Sequence, residues 1–358
     1  MKRARHATLL FLLILALPLC AASVFCSSPN TEDQGGSYYS GTVYTGSHLR
    51  IGVNDYGALG VYDASLGDVG FQYPIGYGYE SLAVGWWGDG WSVFYGGEGA
   101  GFSPADGAWG TISGVTPIVT SRPTPYGHVH VIEMNTSDNV LKLLFKVEFF
   151  NAKKYVKVET HITNIGELAI TDLEFKRIVD WDVWQPTIGD FDNYWGVDDV
   201  RRPDLNLAVA FLNSSVTGGP SVYMGFASLE RPTNYDLNWD DYGSRGFILP
   251  PLHGSITVDG KAPFFFDGAV VYQWLLGELK PGETKVIHTI YAAGDTLEEL
   301  ENNVGEALRQ YRPPVGGVVM PVEAPAPDLA TIISVALAVA VAAAAMAATR
   351  RLIKLKPL

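Results

Sequence analysis

The stretch Leu141–Phe150 (LKLLFKVEFF) constrains the fold of this chain more than any other. Leu141, Leu143, Phe145, Val147 and Phe149 recur at every second position, with Lys142, Lys146 and Glu148 between them. Side chains on a strand alternate between faces, so this period predicts a strand with one buried face. Tyr155–Asn164 (YVKVETHITN) repeats the pattern, with Val156, Val158 and Ile162 inward. The four residues between the two runs are hairpin length, which makes the pair antiparallel.

The same reasoning extends along the chain. Strands are expected over residues 48–53, 91–95, 173–184, 209–212, 221–227, 269–276 and 284–291. The last two are joined across Lys280, Pro281, Gly282 and Glu283, with Pro and Gly where a type II turn wants them. The 39 glycines and 12% aromatic residues fit many turns between aromatic-rich strands. One soluble helix is expected. Leu297, Leu300, Val304 and Leu308 form a stripe, and Thr296 with Glu299 has the form of a capping box. The predicted fold is all-β: a large antiparallel β-sandwich with one amphipathic helix at its end. Its size suits a supersandwich of the kind seen in sugar mutarotases.

Both ends of the chain read as addresses. Lys2, Arg3 and Arg5 precede an apolar run and small residues at 21–23, the form of a secretory signal over residues 1–28. Residues 329–349 hold twenty-one residues without charge, enough for a helix to span a bilayer core of about 30 Å. Arg350, Arg351, Lys354 and Lys356 follow, and such a cluster stays cytoplasmic. The expected layout is a signal (1–28), an outward-facing ectodomain (29–312), a Pro-rich stalk (313–328), a transmembrane helix (329–349) and a basic cytoplasmic tail (350–358). Cys20 and Cys26 are the only cysteines, so the ectodomain depends on its apolar core rather than on disulfides.

Charge then excludes one class of partner. Setting aside the seven cations at the two ends, with Glu323 and Asp328, leaves 18 basic against 36 acidic residues. No basic patch remains to meet phosphates, which argues against nucleic acid. The sequence also lacks a nucleophile elbow, a P-loop, a dinucleotide glycine fingerprint and a zincin motif. The leading expectation is therefore non-enzymatic, an envelope or adhesion module whose partners are the membrane, cell-surface glycans or other envelope proteins.

Residues 177–199 (RIVDWDVWQPTIGDFDNYWGVDD) are the most distinctive polar stretch. Asp180 and Asp182 are two apart on the expected strand and so share a face. Asp190 and Asp192 follow in an acidic loop. Three readings remain open. Asp180, Asp182, Asp190 and Asp192 are candidate Ca²⁺ ligands, because Ca²⁺ collects carboxylate and carbonyl oxygens from loops. Asp180 and Asp182 are alternatively a catalytic pair for glycoside hydrolysis. The third reading is structural, with the acids paired to Lys176, Arg201 or Arg202.

Trp86, Trp87, Trp91 and Trp109 cluster in a Gly-rich region. Trp86, Trp87 and Trp91 are candidate platforms for sugar rings, with core packing as the alternative. Asp236 begins a D-x-N-x-D pattern like an EF-hand loop. Asp241 stands where that loop needs Gly, and Phe247 where it needs Glu. His128 and His130 share a strand face, with His161 and His288 on other strands; zinc would need a third and fourth ligand to converge there, and ordinary strand histidines near the sandwich surface are the alternative. Asn135 and Asn213 open N-glycosylation sequons.

Three segments resemble exported bacterial surface proteins with sorting tails of the PEP-CTERM type. They are residues 165–182 (IGELAITDLEFKRIVDWD) with its D-W-D ending, residues 88–96 (GDGWSVFYG), and residues 276–308 with L-K-P-G-E and T-I-Y-A-A-G before a helix. The resemblance covers about a quarter of the chain and implies export but no activity. Ala326, Pro327 and Asp328 stand where that group has Pro-Glu-Pro. The alanine-rich helix and Pro-rich stalk also resemble membrane-anchored surface proteins of thermophilic archaea.

Overall fold

A computed structural model of the chain describes residues 40–83, 88–103, 107–110, 112, 114–238 and 243–311. The expected signal, stalk, transmembrane helix and basic tail lie outside the described residues, as do Trp86 and Trp87. Among the described residues, no helix is long and apolar enough to cross a membrane.

The architecture rests on two large antiparallel sheets, mostly in the places the periodicity indicates, with a three-stranded and a two-stranded sheet beside them. The larger has nine strands, in spatial order Phe264–Phe266, Asn193–Val197, Leu207–Leu212, Val222–Ser228, Thr284–Gly294, Tyr155–Asn164, Leu141–Phe150, Gly127–Asn135 and Ile118–Thr124. The smaller has six: Asn234–Asp236, Val270–Leu279, Ile170–Val179, Asp89–Tyr95, Glu98–Ser103 and Gly107–Gly110. Leu141–Phe150 shows a strict alternation of buried and half-buried residues, with Leu143 facing Ile162 and Val147 facing Val158 on the neighbouring strand.

Apolar faces of the two sheets meet in one core. The Trp91 and Phe145 rings lie 5.0 Å apart across it, and Phe226 packs 5.0 Å from Tyr272. The small sheet Gly41–Thr45, Arg50–Asn54 and Phe71–Gln72 adds Tyr44, Ile51, Val53 and Phe71 to the same core. Leu207–Leu212 is buried on both faces, which explains its unbroken apolar run. Ala208, Ala210 and Leu212 join the core between the sheets, while Leu207, Val209 and Phe211 join a second cluster under the helix Leu297–Tyr311. That helix packs there through Leu300, Val304 and Leu308. Its predicted cap is present: the Glu299 N–H donates to Thr296 Oγ1 at 3.1 Å. The Glu299 carboxylate reaches one residue further back than a capping box requires, accepting from the Asp295 N–H at 2.7 Å.

One polar network pins the two sheets from inside. Arg177 and Asp89 lie on adjacent strands of the smaller sheet, and both are fully buried. Arg177 Nε donates to Asp89 Oδ1 at 2.9 Å and to Tyr291 Oη, on the opposite sheet, at 2.7 Å. Its Nη2 donates to Asp89 Oδ2 and to the Gly57 carbonyl. Gly57 has φ of +81°, and a Cβ there would fall 2.4 Å from the Phe145 ring, so only glycine fits. Burial pushes the Asp89 carboxyl up even beside the guanidinium. Arg177 keeps its proton regardless, and a charged guanidinium in a dry core requires an ionised Asp89.

A second buried acid is poorly matched. Asp198 follows the strand Asn193–Val197, and its Oδ2 has no hydrogen-bond partner. Burial, then the Glu301 carboxylate facing it, pushes its pKa up to about 6. Glu301 is itself committed to Arg201, 2.8 Å away. A folded pKa above the unfolded one favours folding at low pH, and that contribution is lost as pH rises through about 4 to 6. Asp198→Asn supplies an uncharged donor toward Glu301. It is expected to stabilise the protein by about 1–2 kcal/mol at pH 7.5 and far less at pH 4.5. Melting curves of both proteins at the two pH values check this; an equal difference at both would contradict it.

Candidate functional site

Asp180 and Asp182 lie just past the end of Ile170–Val179, not on the strand itself. The expected strand to residue 184 stops short because the chain there leaves the smaller sheet for the larger one. Asp180 and Asp182 sit on this crossing segment. The Asp180 N–H bonds to the Gly88 carbonyl at 2.7 Å and the Asp182 N–H to Ser81 at 3.0 Å. Asn193 clamps the segment: Nδ2 donates to the Trp181 and Phe191 carbonyls, and Oδ1 accepts from the Val183 N–H. Trp181 between the two acids points into the core, 5.2 Å from Phe71 and 6.2 Å from Tyr291.

A second crossing meets the first. Phe266 pairs with Asn193 in the larger sheet and Val270 pairs with Val179 in the smaller one, so the residues between them return past Asp180. Asp267 therefore joins Asp180 and Asp182. One carboxylate oxygen from each lies within 4.8 Å of the other two. Asp180 and Asp182 are buried and Asp267 is exposed. Burial, then the Asp180 and Asp267 carboxylates, pushes Asp182 up to about 10. Burial and then Asp267 push Asp180 up as well.

Asp190 and Asp192, the other two expected ligands, are not in this group. Their carboxylates raise Asp267 from further away, after burial. The expected pairing of the acids with Lys176, Arg201 or Arg202 holds for Asp204 with Arg202 and not for Asp180 or Asp182. Lys176 lies beside Glu174, Arg201 holds Glu301 and Arg202 holds Asp204.

The crossing segment continues into a cavity of about 520 Å³. Trp184 adopts a left-handed backbone (φ 57°, ψ 29°), rare for a bulky residue, and this turns its ring toward Tyr79. The two rings meet edge to face at 4.9 Å. Trp184 Nε1 donates to the Tyr73 carbonyl at 2.7 Å. The cavity's polar side is built from Lys154, Asp295 and Thr187. Tyr73 Oη donates to Asp295 Oδ1 at 2.5 Å, and Lys154 Nζ bonds to Tyr73 Oη and to Glu299. Burial, and next the Asp295 bond, push the Tyr73 phenol up, so it stays neutral. Sequence reading missed Tyr73, Lys154, Asp295 and Asp267, because each comes from a different part of the chain. The Asp-Gly step at 267–268, directly before an apolar strand, was a usable signal for the last.

Other expectations resolve in place. Trp91 is not a surface platform: it is fully buried, and Nε1 donates to the Tyr56 carbonyl at 2.8 Å. Asp236 is a backbone cap, accepting from the Asn238 and Leu252 N–H groups. His130 is buried against Tyr44, His161 contacts Glu159 and His288 contacts Glu230, so these histidines do not converge. Asn135 is exposed, whereas the Asn213 side chain caps a short helix.

No family model matches the chain, and no curated protein matches it. Among solved structures it is similar to a bacterial glucoamylase complexed with acarbose (9% identity, TM-score 0.46, covering 76% of this chain and 35% of that one). It is also similar to the GH36 α-galactosidase AgaA from Geobacillus stearothermophilus (10%, TM-score 0.35, 74% and 42%). A third is a galactose mutarotase related enzyme from Lactobacillus acidophilus (10%, TM-score 0.33, 73% and 99%). The chain spans about a third of the length of the first solved structures it matches.

Proposed function

We propose that this chain is an exported, membrane-anchored surface protein whose β-sandwich binds carbohydrate without processing it. The observation that carries the reading is the 520 Å³ cavity where Tyr79 and Trp184 meet Lys154, Asp295 and Thr187. A sugar presents an apolar C–H face and a rim of hydroxyls. An aromatic wall opposite a few placed donors and acceptors complements both. Export and anchoring rest on the basic and apolar runs at residues 1–28 and 329–358.

Binding is favoured over hydrolysis by the position of the acids: Asp180 and Asp182 do not line this cavity.

A glycan array probed with the full chain in detergent tests the reading, followed by calorimetry on any hit. Tyr79, on a short exposed turn, is the variant of choice. Tyr79→Ala is expected to weaken binding about tenfold, equivalent to about 1.4 kcal/mol, while the melting temperature stays within about 2 °C. Absence of any glycan hit for the unmodified chain, or unchanged affinity in Tyr79→Ala, would reject it.

A further inference from the structure

We propose that Asp180, Asp182 and Asp267 hold a calcium ion at the point where the chain crosses twice between the two sheets. The site is separate from the sugar-binding cavity, and it stands whether or not that cavity binds a sugar.

The first support is geometric. Three carboxylate oxygens lie within 4.8 Å of one another. Oxygens on one Ca²⁺ sit about 2.3–2.6 Å from the ion, so any two are at most about 4.6–5.2 Å apart, and the observed limit falls within that reach. The donors are all hard oxygens, and no His or Cys belongs to the group.

The second support comes from comparison with three other buried acids, Glu80, Asp89 and Asp236, each of which is met by donors. The Glu80 carboxylate accepts from the N–H groups of Gly70, Phe71, Ser81, Leu82 and Ala83. Asp89 has Arg177, Tyr291 and the Leu59 N–H. Asp236 has two backbone donors. Asp180 is only 6% exposed, and its Oδ1 meets no donor. Among the described residues no Lys, Arg or His is ion-paired with Asp180, Asp182 or Asp267. The charged neighbours acting on all three are other carboxylates, with Asp190 and Asp192 adding to the field at Asp267. An acceptor buried without a donor is costly, and a cation satisfies all three carboxylates together. Asp267 is exposed, so solvent ions reach the group from its side. The Asn193 clamp holds Asp180 and Asp182 before any ion arrives.

The test uses the full chain, stripped with EDTA and dialysed. Ca²⁺ is added alone, Mg²⁺ alone in a parallel series, and thermal melts and calorimetry are recorded. With Ca²⁺ at a hundredfold excess over Kd, the melting temperature is expected to rise by about 4–8 °C. Terbium emission excited through Trp181, which stands between two ligands, gives an independent readout. Asp267→Asn, at the exposed position, should leave the fold intact and weaken Ca²⁺ binding at least tenfold. Asp180→Asn should abolish the Ca²⁺ response while melting no lower than the stripped wild type, because it replaces a buried acid with a neutral side chain of the same shape. No melting shift and no calorimetric heat up to millimolar Ca²⁺ would overturn the proposal. So would a response that survives in both variants. A larger shift with Mg²⁺ than with Ca²⁺ would overturn the choice of ion. Glycan binding is read separately, so either failure is identifiable on its own.

Discussion

Arg177→Met is expected to destabilise the sandwich by about 3–5 kcal/mol in urea unfolding, far more than truncating an exposed side chain. The substitution preserves much of the apolar length but leaves Asp89 fully buried without its counter-ion, with only Tyr291 and the Leu59 N–H as donors. The Gly57 carbonyl also loses its partner. Removing both charges together, in Arg177→Met with Asp89→Leu, should recover most of the loss, since a buried pair contributes little beyond satisfying itself. A loss under about 1 kcal/mol for the single variant would show that the network does not join the sheets.

Trp91→Ala should cost about 3–5 kcal/mol as well, for a different reason. Trp91 is fully buried, its ring packs 5.0 Å from Phe145, and its indole N–H holds the Tyr56 carbonyl. Truncation leaves a cavity between the two sheets and an orphaned carbonyl. Guanidinium unfolding measures the loss. Glycan affinity of the folded fraction should not change, which separates this tryptophan from Tyr79 at the cavity mouth. A Trp91→Ala protein as stable as wild type, but blind to glycans, would restore the surface-platform reading.

The sheets were legible where one face of a strand is wet. Leu141–Phe150 announces itself because Lys142, Lys146 and Glu148 remain partly exposed between buried neighbours. The signal fades in Ile170–Val179. There Glu174, Lys176 and Arg177 are buried alongside Phe175 and Ile178, because the chain covers both faces. Charge in that strand marks internal pairing, not solvent, and single-sequence periodicity does not separate the two. The acidic site was half legible. Asp180 and Asp182 stand out by spacing, but their third partner lies 85 residues further on, and only the pairing of Val179 with Val270 brings it home. Local density favoured Asp190 and Asp192 instead. The cavity was illegible, since Tyr73, Lys154, Trp184 and Asp295 belong to four separate segments.

The Arg177 network also bears on the order in which the native state assembles. Its partners lie 88, 120 and 114 residues away along the chain, at Asp89, Gly57 and Tyr291. Contacts of such long span make folding slow, because loops must close before any reward arrives. A growing chain that has reached Arg177 holds Asp89 and Gly57 but lacks Tyr291 and the strand that carries it. Commitment to the closed sandwich therefore waits until Thr284–Gly294 has been made. Until then the nascent protein exposes half-built sheet edges, a window in which a chaperone would have the most to protect.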